Sequence, residues 1–208
     1  MDQALTLPRL YAIADTATLH SRGMGLIATV EQWLEAGVRL IQLRHKGQYT
    51  RELYQTAAAL CEKCQQRGAL FVIDDRADIA ALLGAGLHVG QDDLSPADAR
   101  RVIGPDALLG LSTHNEDQLA AGDREPVDYL AVGPVFQTAS KENPDPVLGL
   151  ERVARMRGLT SKPLVAIGGI TRASAPALWT AGIDSVAVIS DLLPAAAGNW
   201  VRLVTDVL

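Results

Sequence analysis

Two hydroxyl side chains and a lysine follow the apolar run Tyr129–Phe136. They are Thr138, Ser140 and Lys141, and the run before them predicts a strand that is buried on both faces. Hydroxyl and backbone N–H groups donate hydrogen bonds to phosphate oxygens, and a lysine balances their negative charge. The segment therefore predicts an anion site at the end of this strand, although a solvated loop would show the same residue types.

Carboxylate and cationic side chains stand at the ends of other apolar runs. Asp75 and Asp93 supply hard oxygen atoms for Mg²⁺, which commonly shares its remaining coordination positions with substrate phosphates. Arg44, Lys46 and Lys141 can hold the phosphate oxygens that a metal leaves uncovered. Together these residues predict a site for a diphosphate bound through Mg²⁺. Helix capping by the aspartates and surface salt bridges by the cations are the alternative explanations.

A second anion site is predicted near the end of the chain. Gly168 and Gly169 leave backbone N–H groups open to a ligand, and Ser190 ends the next apolar run. With the hydroxyls of Thr138 and Ser140, these groups would form a pocket for a monophosphate. A turn that needs positive φ would explain the two glycines equally well.

Further polar residues end two other apolar runs. Gln42 alternates with Arg44, so both side chains are expected to point to the same side of their strand. Ser112 and His114 end another run, and His114 is a candidate general acid or base. His88 lies inside a strand-like run, where we expect it to pack rather than to react.

Short β-type runs alternate with helical segments along the chain. The predicted strands are Leu10–Asp15, Leu40–Arg44, Leu70–Asp74, Leu87–Gln91, Leu108–Ser112, Tyr129–Phe136, Leu164–Gly168 and Ser185–Ser190. The predicted helices are Thr29–Ala36, Thr50–Gln66, Asp78–Gly84, Ser95–Ile103, Glu116–Ala121, Leu150–Arg157, Ala173–Ala181 and Ala195–Leu208. This alternation predicts an α/β protein with one parallel sheet, closed into a single-domain (β/α)₈ TIM barrel over residues 1–208. An open doubly wound sheet is the alternative.

A barrel would bring the polar residues together, because the carboxyl ends of its strands share one face. The segments Thr16–Met24 and Gln137–Leu148 both follow predicted strands and are expected to be irregular. They would therefore lie on the same face, where the second segment predicts a mobile lid.

The bulk composition fits a globular enzyme. The chain has 208 residues, of which 48% are hydrophobic and 21% charged, and its net charge of −5 gives no electrostatic footprint for nucleic acid or an anionic membrane. We expect no signal peptide, no membrane span, and a cytoplasmic location. Cys61 and Cys64 fall late in a predicted helix, where packing is a better explanation than redox or zinc chemistry.

Six strand-end motifs, taken in order, resemble those of the thiamine phosphate synthase family. They are Gln42-Leu-Arg-His-Lys46, Asp74-Asp75-Arg76, Gly90-Gln-Asp-Asp93, Leu111-Ser-Thr-His114, Gly133-Pro-Val-Phe-Gln-Thr-Ala-Ser-Lys141 and Val165-Ala-Ile-Gly-Gly-Ile170. The resemblance implies an Mg²⁺-dependent transferase that joins 4-amino-5-hydroxymethyl-2-methylpyrimidine diphosphate to 4-methyl-5-(2-phosphoethyl)thiazole. The products would be thiamine phosphate and diphosphate, formed by a dissociative substitution. These two small molecules are the expected partners, and association into a homo-oligomer is left open.

The resemblance also implies a role for each matching residue. Asp75 and Asp93 would bind Mg²⁺. The pyrimidine diphosphate would be held by Gln42, Arg44, Lys46, Ser112 and Lys141. The thiazole phosphate would be held by Thr138, Ser140, Gly169, Ile189 and Ser190.

Two positions depart from the pattern of the family. Asp74 stands where the family usually has asparagine, so an acceptor-only anion lies next to the predicted diphosphate site. This change predicts weaker diphosphate binding or a relocated metal. Ser140 stands where a second threonine is common, and it keeps the hydroxyl.

Two other functions are compatible with the sequence. The related thiazole tautomerases use a histidine after the fifth strand, where this chain has His114, but they typically lack the two metal aspartates. The third hypothesis is a non-catalytic barrel that binds thiamine precursors, and Asp74 is its only support. We predict the synthase.

Overall fold

A computed structural model describes residues 5–138, 146–193 and 196–206 of the chain. Within these ranges eight strands form one closed parallel sheet in chain order. The strands are β1 (Leu10–Asp15), β2 (Leu40–Arg44), β3 (Leu70–Asp74), β4 (Gly86–Val89), β5 (Leu109–Thr113), β6 (Tyr129–Val132), β7 (Leu164–Ile167) and β8 (Ser185–Val188). Pairing of β1 with β8, with Leu10 opposite Val186, closes the barrel. The predicted (β/α)₈ barrel is confirmed, and the open sheet is excluded.

Helices surround the sheet. They are α1 (Thr16–Ser21), α2 (Leu26–Ala36), α3 (Arg51–Gln66), α4 (Ala77–Leu83), α5 (Pro96–Ile103), α6 (Glu116–Gly122), α7 (Gly149–Arg157), α8 (Ala175–Thr180) and α9 (Ala197–Asp206), with a short 3₁₀ helix at Ser190–Leu192. Of the helices in the described ranges, none has both the length and the apolar character to cross a membrane. Cys61 and Cys64 are free and buried on α3, as the packing explanation predicts.

We expected the segment Thr16–Met24 to be irregular, but the structure shows that its first part forms the short helix α1. Asp15 ends β1 and also caps this helix, since its Oδ1 accepts hydrogen bonds from the backbone N–H and the hydroxyl of Thr18 at 2.8 and 2.6 Å. Asp15 is thus both the last residue of β1 and the N-cap of α1.

Several strands end earlier than predicted. β6 stops at Val132 because Pro134 has no N–H group with which to continue the ladder. β7 stops at Ile167 because Gly168 and Gly169 adopt φ values of 99° and 64°, which lie outside the extended region. The predicted lid falls mostly on residues 139–145, which lie outside the described residues.

The alternation of side chains along each strand separates two apolar clusters. Tyr11, Ile13, Leu40 and Val72 belong to the cluster inside the barrel, whereas their neighbours in sequence pack outward against the helices. Continued toward the carboxyl ends of the strands, the same alternation turns polar residues inward. The inward set is Asp15, Gln42, Arg44, Asp74, His88 and Ser112.

Candidate active site

A cavity of about 1130 Å³ opens at the carboxyl ends of the strands. This volume lies just above the usual range for small-molecule sites, so the cavity has room for two small substrates. The predicted site residues in the described ranges line it together: Gln42, Arg44, Lys46, Asp74, Asp75, Asp93, Ser112, His114, Thr138, Gly168, Gly169, Ile189 and Ser190. Ser140 and Lys141 lie outside the described residues.

Cations and carboxylates alternate on one side of the cavity. Lys46 Nζ lies 2.9 Å from Asp74 Oδ2 and also forms an ion pair with Asp75. Burial opposes the charge of Lys46, but the carboxylates of Asp74 and Asp75 outweigh it and raise the pKa of this lysine. The ammonium group is therefore a fixed positive charge at this edge of the cavity.

Asp74 is the most deeply placed carboxylate of this group, with 6% of its surface exposed. Burial raises its pKa above the ordinary value, while Lys46 and Arg44 act in the opposite direction. Its Oδ2 forms the ion pair with Lys46 but no well-aligned hydrogen bond within the described part of the chain. Asp74 thus competes for the cations that a diphosphate would need.

Arg44 is held by a second buried carboxylate that the sequence analysis did not select. Its Nη1 forms an ion pair with Asp15 Oδ2, and its Nε lies 3.8 Å from Asp74. Burial opposes the charge of Asp15, but hydrogen bonds from Thr18 and Arg44 outweigh it and lower the pKa of this carboxyl group. Asp15 therefore stays charged and fixes the direction of the guanidinium group.

Asp75 and Asp93 form the candidate metal site. The carboxylate of Asp93 lies close enough to Asp75 to feel its charge, and Asp93 Oδ2 accepts a hydrogen bond from the backbone N–H of Gly90 at 2.7 Å. Burial, followed by the proximity of Asp75, raises the pKa of Asp93 despite the bond from Gly90. Asp75 has a φ of 61°, which is uncommon for a residue other than glycine.

The donor set fits Mg²⁺. Two adjacent carboxylates repel each other unless a cation or a proton lies between them, and Mg²⁺ characteristically binds one or two carboxylates plus water and phosphate oxygens. No group of three or more metal-binding side chains occurs in the described ranges, so protein ligands alone would not enclose a metal there. Asp75 and Asp93 can therefore anchor Mg²⁺ when a phosphate substrate supplies the other oxygens.

The residues of the second predicted anion site lie across the cavity, after β7 and β8. Gly168 and Gly169 pack so closely on the loop after β6 that a Cβ at Gly169 would lie 2.4 Å from the carbonyl oxygen of Gln137. Only glycine fits there. Thr138 and Ser190 line the same side. Residues from three strand ends thus line this side of the cavity, and their binding of a monophosphate stays a prediction.

Arg22 is a cation at this second group that the sequence analysis missed. It lies in the loop after α1, lines the cavity, and its Nη1 donates to the carbonyl oxygen of Ser190 at 3.4 Å. Since the segment Thr16–Met24 was expected to be irregular, nothing in the sequence indicated where this side chain would point.

His114 also lines the cavity. Its Nδ1 lies 2.7 Å from the carbonyl oxygen of Gly133, which can only accept, so Nδ1 carries a proton. Its backbone N–H donates to Gln118 Oε1 at 2.7 Å. The ring is thus held in a fixed orientation at the rim.

The floor of the cavity is a polar network that the sequence analysis did not predict. Tyr11 and Tyr129 were assigned to buried strands, and His88 was expected only to pack. His88 is buried, but it contacts the Tyr129 hydroxyl through Nδ1 at 2.9 Å and Ser112 Oγ through Nε2 at 2.8 Å. Gln42 Nε2 donates to Tyr11 Oη at 2.9 Å. The period-two pattern of the strands contained the signal, because it turns all five residues inward.

Comparison with known proteins gives consistent results over most of the chain. Residues 10–192 match the family described as thiamine monophosphate synthase. The chain is 49% identical over 203 residues to a thiamine-phosphate synthase of Koribacter versatilis, covering 93% of this chain and 92% of that protein. It is 44% identical over 173 residues to a thiamine-phosphate synthase of Laribacter hongkongensis, covering 83% and 82%. The structure is similar to that of a thiamine phosphate pyrophosphorylase from Pyrococcus furiosus, with a TM-score of 0.85, 31% identity and 97% of each chain covered.

Proposed function

The chain belongs to the thiamine monophosphate synthase family, and from this premise we propose how its cavity joins the two precursors of thiamine phosphate. The enzyme is a transferase that couples 4-amino-5-hydroxymethyl-2-methylpyrimidine diphosphate with 4-methyl-5-(2-phosphoethyl)thiazole. The observation that carries the proposal is that one cavity is lined by two separate groups of residues able to bind anions. One side has Arg44, Lys46, Asp75 and Asp93, and the other has the loops after β7 and β8.

The diphosphate of the pyrimidine substrate belongs on the side of Arg44 and Lys46. Both groups donate charge-assisted hydrogen bonds, and both are held in place by buried carboxylates before the substrate binds. In the dissociative reaction, the bond between the methylene carbon and the diphosphate oxygen breaks, and its electron pair leaves with the diphosphate. Positive charges fixed at that oxygen stabilise the departing anion. Lys141, implied by the family resemblance, would add a third cation.

Asp75 and Asp93 would hold Mg²⁺ beside the same diphosphate. When bound, the ion supplies further neutralisation of the leaving group. The proximity of the two carboxylates supports this assignment. Ser112, which lines the cavity next to these residues, would donate to a diphosphate oxygen.

The thiazole phosphate belongs on the other side. Its phosphate would accept hydrogen bonds from Thr138, Ser140 and Ser190 and from the backbone at Gly168, Gly169 and Ile189. Arg22 would add positive charge there. The thiazole nitrogen then donates its lone pair to the cationic methylene carbon and forms the new C–N bond. No proton leaves either carbon or nitrogen in this step, so orientation matters more than a protein base.

We prefer the synthase function to the tautomerase function, which was suggested by the position of His114. Both carboxylates of the candidate metal site are present, whereas an isomerisation releases no diphosphate for them to serve. The relatives compared above carry the name of the synthase. The cytoplasm is the proposed compartment, because both substrates are small charged phosphates.

The direct test is a coupling assay. Purified protein with both phosphorylated precursors and Mg²⁺ should form thiamine phosphate and diphosphate in equal amounts. Chromatography and phosphorus NMR measure the two products. The absence of product, in protein that still binds the thiazole phosphate, would refute the synthase. Product formed from the thiazole carboxylate phosphate alone would favour the tautomerase.

A further inference from the structure

A continuous chain of hydrogen bonds crosses the inside of the barrel beneath the cavity. Gln42 Nε2 donates to Tyr11 Oη at 2.9 Å, and Tyr11 Oη lies 3.0 Å from Tyr129 Oη. The Tyr129 hydroxyl lies 2.9 Å from His88 Nδ1, and His88 Nε2 lies 2.8 Å from Ser112 Oγ. The chain therefore links β2, β1, β6, β4 and β5, and it ends at a hydroxyl group that lines the cavity.

The direction of these hydrogen bonds follows from the number of protons that each group carries. The amide nitrogen of Gln42 can only donate, so the oxygen of Tyr11 accepts and its single proton goes to Tyr129. The single proton of Tyr129 then goes to His88 Nδ1. A ring nitrogen that accepts a hydrogen bond carries no proton, so the His88 ring is neutral and has one proton. With Nδ1 accepting, that proton is on Nε2 and is donated to Ser112.

The consequence appears at Ser112. Because its oxygen accepts from His88, its own proton remains available to a ligand in the cavity. In the opposite direction, Ser112 would donate to His88 and would present only lone pairs to an anion. A buried chain of hydrogen bonds with one fixed direction thus makes Ser112 a donor toward the cavity. Hydrogen bonds in such a chain also polarise and strengthen one another.

We propose that Gln42, Tyr11, Tyr129 and His88 form an oriented relay that presents the Ser112 hydroxyl as a hydrogen-bond donor to the diphosphate. The assignment of that ligand rests on the proposed function; the direction of the relay does not. Tyr129 and His88 are positioning residues in this scheme. Tyr129 has no exposed surface and acts on the ligand only through His88 and Ser112.

The glycine at position 110 allows Tyr129 to take its place in the relay. Gly110 lies opposite Tyr129 in the β5–β6 ladder, and a Cβ there would lie 2.0 Å from Tyr129 Cζ. The missing side chain makes room for the tyrosine ring against the sheet. The ring then stacks on His88 with centroids 5.6 Å apart, which fixes the imidazole plane as well as its hydrogen bonds.

The tautomer of His88 tests the relay without any substrate. Nitrogen NMR of protein labelled at its four histidines, with His88 assigned by elimination in His20→Gln, His45→Gln and His114→Gln variants, reports which ring nitrogen carries the proton. The relay predicts a neutral ring protonated at Nε2 at pH 7. Protonation at Nδ1, or a mixture of the two tautomers, would overturn it, whether or not the protein proves to be a synthase.

Removal of one hydroxyl tests the consequence for binding. Tyr129→Phe keeps the ring and deletes the donor to His88, whereas Tyr54→Phe deletes a hydroxyl on α3, outside the relay. Tyr129→Phe should shift the His88 tautomer and weaken the affinity for inorganic diphosphate with Mg²⁺ by about tenfold, a typical loss for one hydrogen bond to a charged group. Tyr54→Phe should change neither quantity.

A double-mutant cycle separates the relay from a general loss of structure. If Tyr129 acts through Ser112, Tyr129→Phe should cost much less in a Ser112→Ala background than in the wild type. In both single variants, the KM for the thiazole phosphate should stay within about twofold of the wild-type value. Equal losses with and without Ser112, measured with inorganic diphosphate and Mg²⁺, would contradict the relay even if the coupling reaction itself proceeds normally.

Discussion

Asp74→Asn is the substitution that examines the electrostatics of the cavity most sharply. It replaces a buried carboxylate with a neutral side chain of the same shape. In the wild type this carboxylate lies 2.9 Å from Lys46 Nζ and 3.8 Å from Arg44 Nε. Both cations are proposed to bind the diphosphate, so the carboxylate and the substrate compete for them. The variant should bind the pyrimidine diphosphate more tightly.

The size of the effect follows from the distances. A phosphate oxygen that accepts a hydrogen bond from Lys46 Nζ would lie within about 6 Å of the Asp74 carboxylate. Two unit charges at about 6 Å repel each other by about 0.7 kcal/mol in water and by about 3 kcal/mol at an effective dielectric constant of about 20. A site that is open on one side falls between these limits. We therefore expect the Kd of the pyrimidine diphosphate to fall by about tenfold.

The assay is titration calorimetry with the pyrimidine diphosphate and Mg²⁺ at two salt concentrations, because added salt screens the repulsion and should reduce the gain. Asp78→Asn is the matched control. It removes the same charge from an exposed carboxylate that pairs with Arg76 rather than with the cavity cations. An unchanged or raised Kd in Asp74→Asn would refute the competition, and a loss of Mg²⁺ affinity would show that Asp74 belongs to the metal site instead.

Four further substitutions give distinct outcomes. Asp93→Ala should abolish coupling in a steady-state assay while the calorimetric affinity for the thiazole phosphate changes by less than about threefold, and retained turnover would refute the metal assignment. His114→Ala should leave the kcat of coupling within about tenfold, because the reaction needs no protein base, and a larger loss would give His114 a direct role. Gly110→Ala should lower the free energy of unfolding by about 3 kcal/mol or more in urea titrations, since its Cβ would overlap Tyr129. His88 protonates near pH 6.5 in the unfolded chain but only near pH 4 in the folded protein, so the unfolded state takes up the proton first and stability falls as the pH drops between these values. The loss should be about 3 kcal/mol and absent from His88→Asn, and equal slopes in both proteins would contradict the burial of a neutral imidazole.

The fold could be predicted because alternating strands and helices leave few ways to bury eight apolar runs in a short chain. The same rule predicts that Asp75 and Asp93 lie at one rim, because both follow strand ends. It worked for side chains at strand ends, whose position depends on topology alone.

Two parts of the site could not be predicted in this way. Asp15 ends a strand and caps the next helix at once, so its sequence position indicated neither the helix α1 nor the ion pair with Arg44. The polar floor depends on contacts such as that between Tyr11 and Tyr129, which are 118 residues apart in the chain. Aromatic residues in buried strands are typical of a core, and only the closed barrel shows that their hydroxyls meet.

The measurement that tests the central claim most directly is a crystal structure of the protein with thiamine phosphate, diphosphate and Mg²⁺. It should show the metal on Asp75 and Asp93, the diphosphate on Arg44 and Lys46 with Ser112 donating to it, and the phosphate of thiamine phosphate at Gly169 and Ser190. Diphosphate bound instead at the loops after β7 and β8, or a metal that contacts neither aspartate, would contradict the division of the cavity into two anion sites.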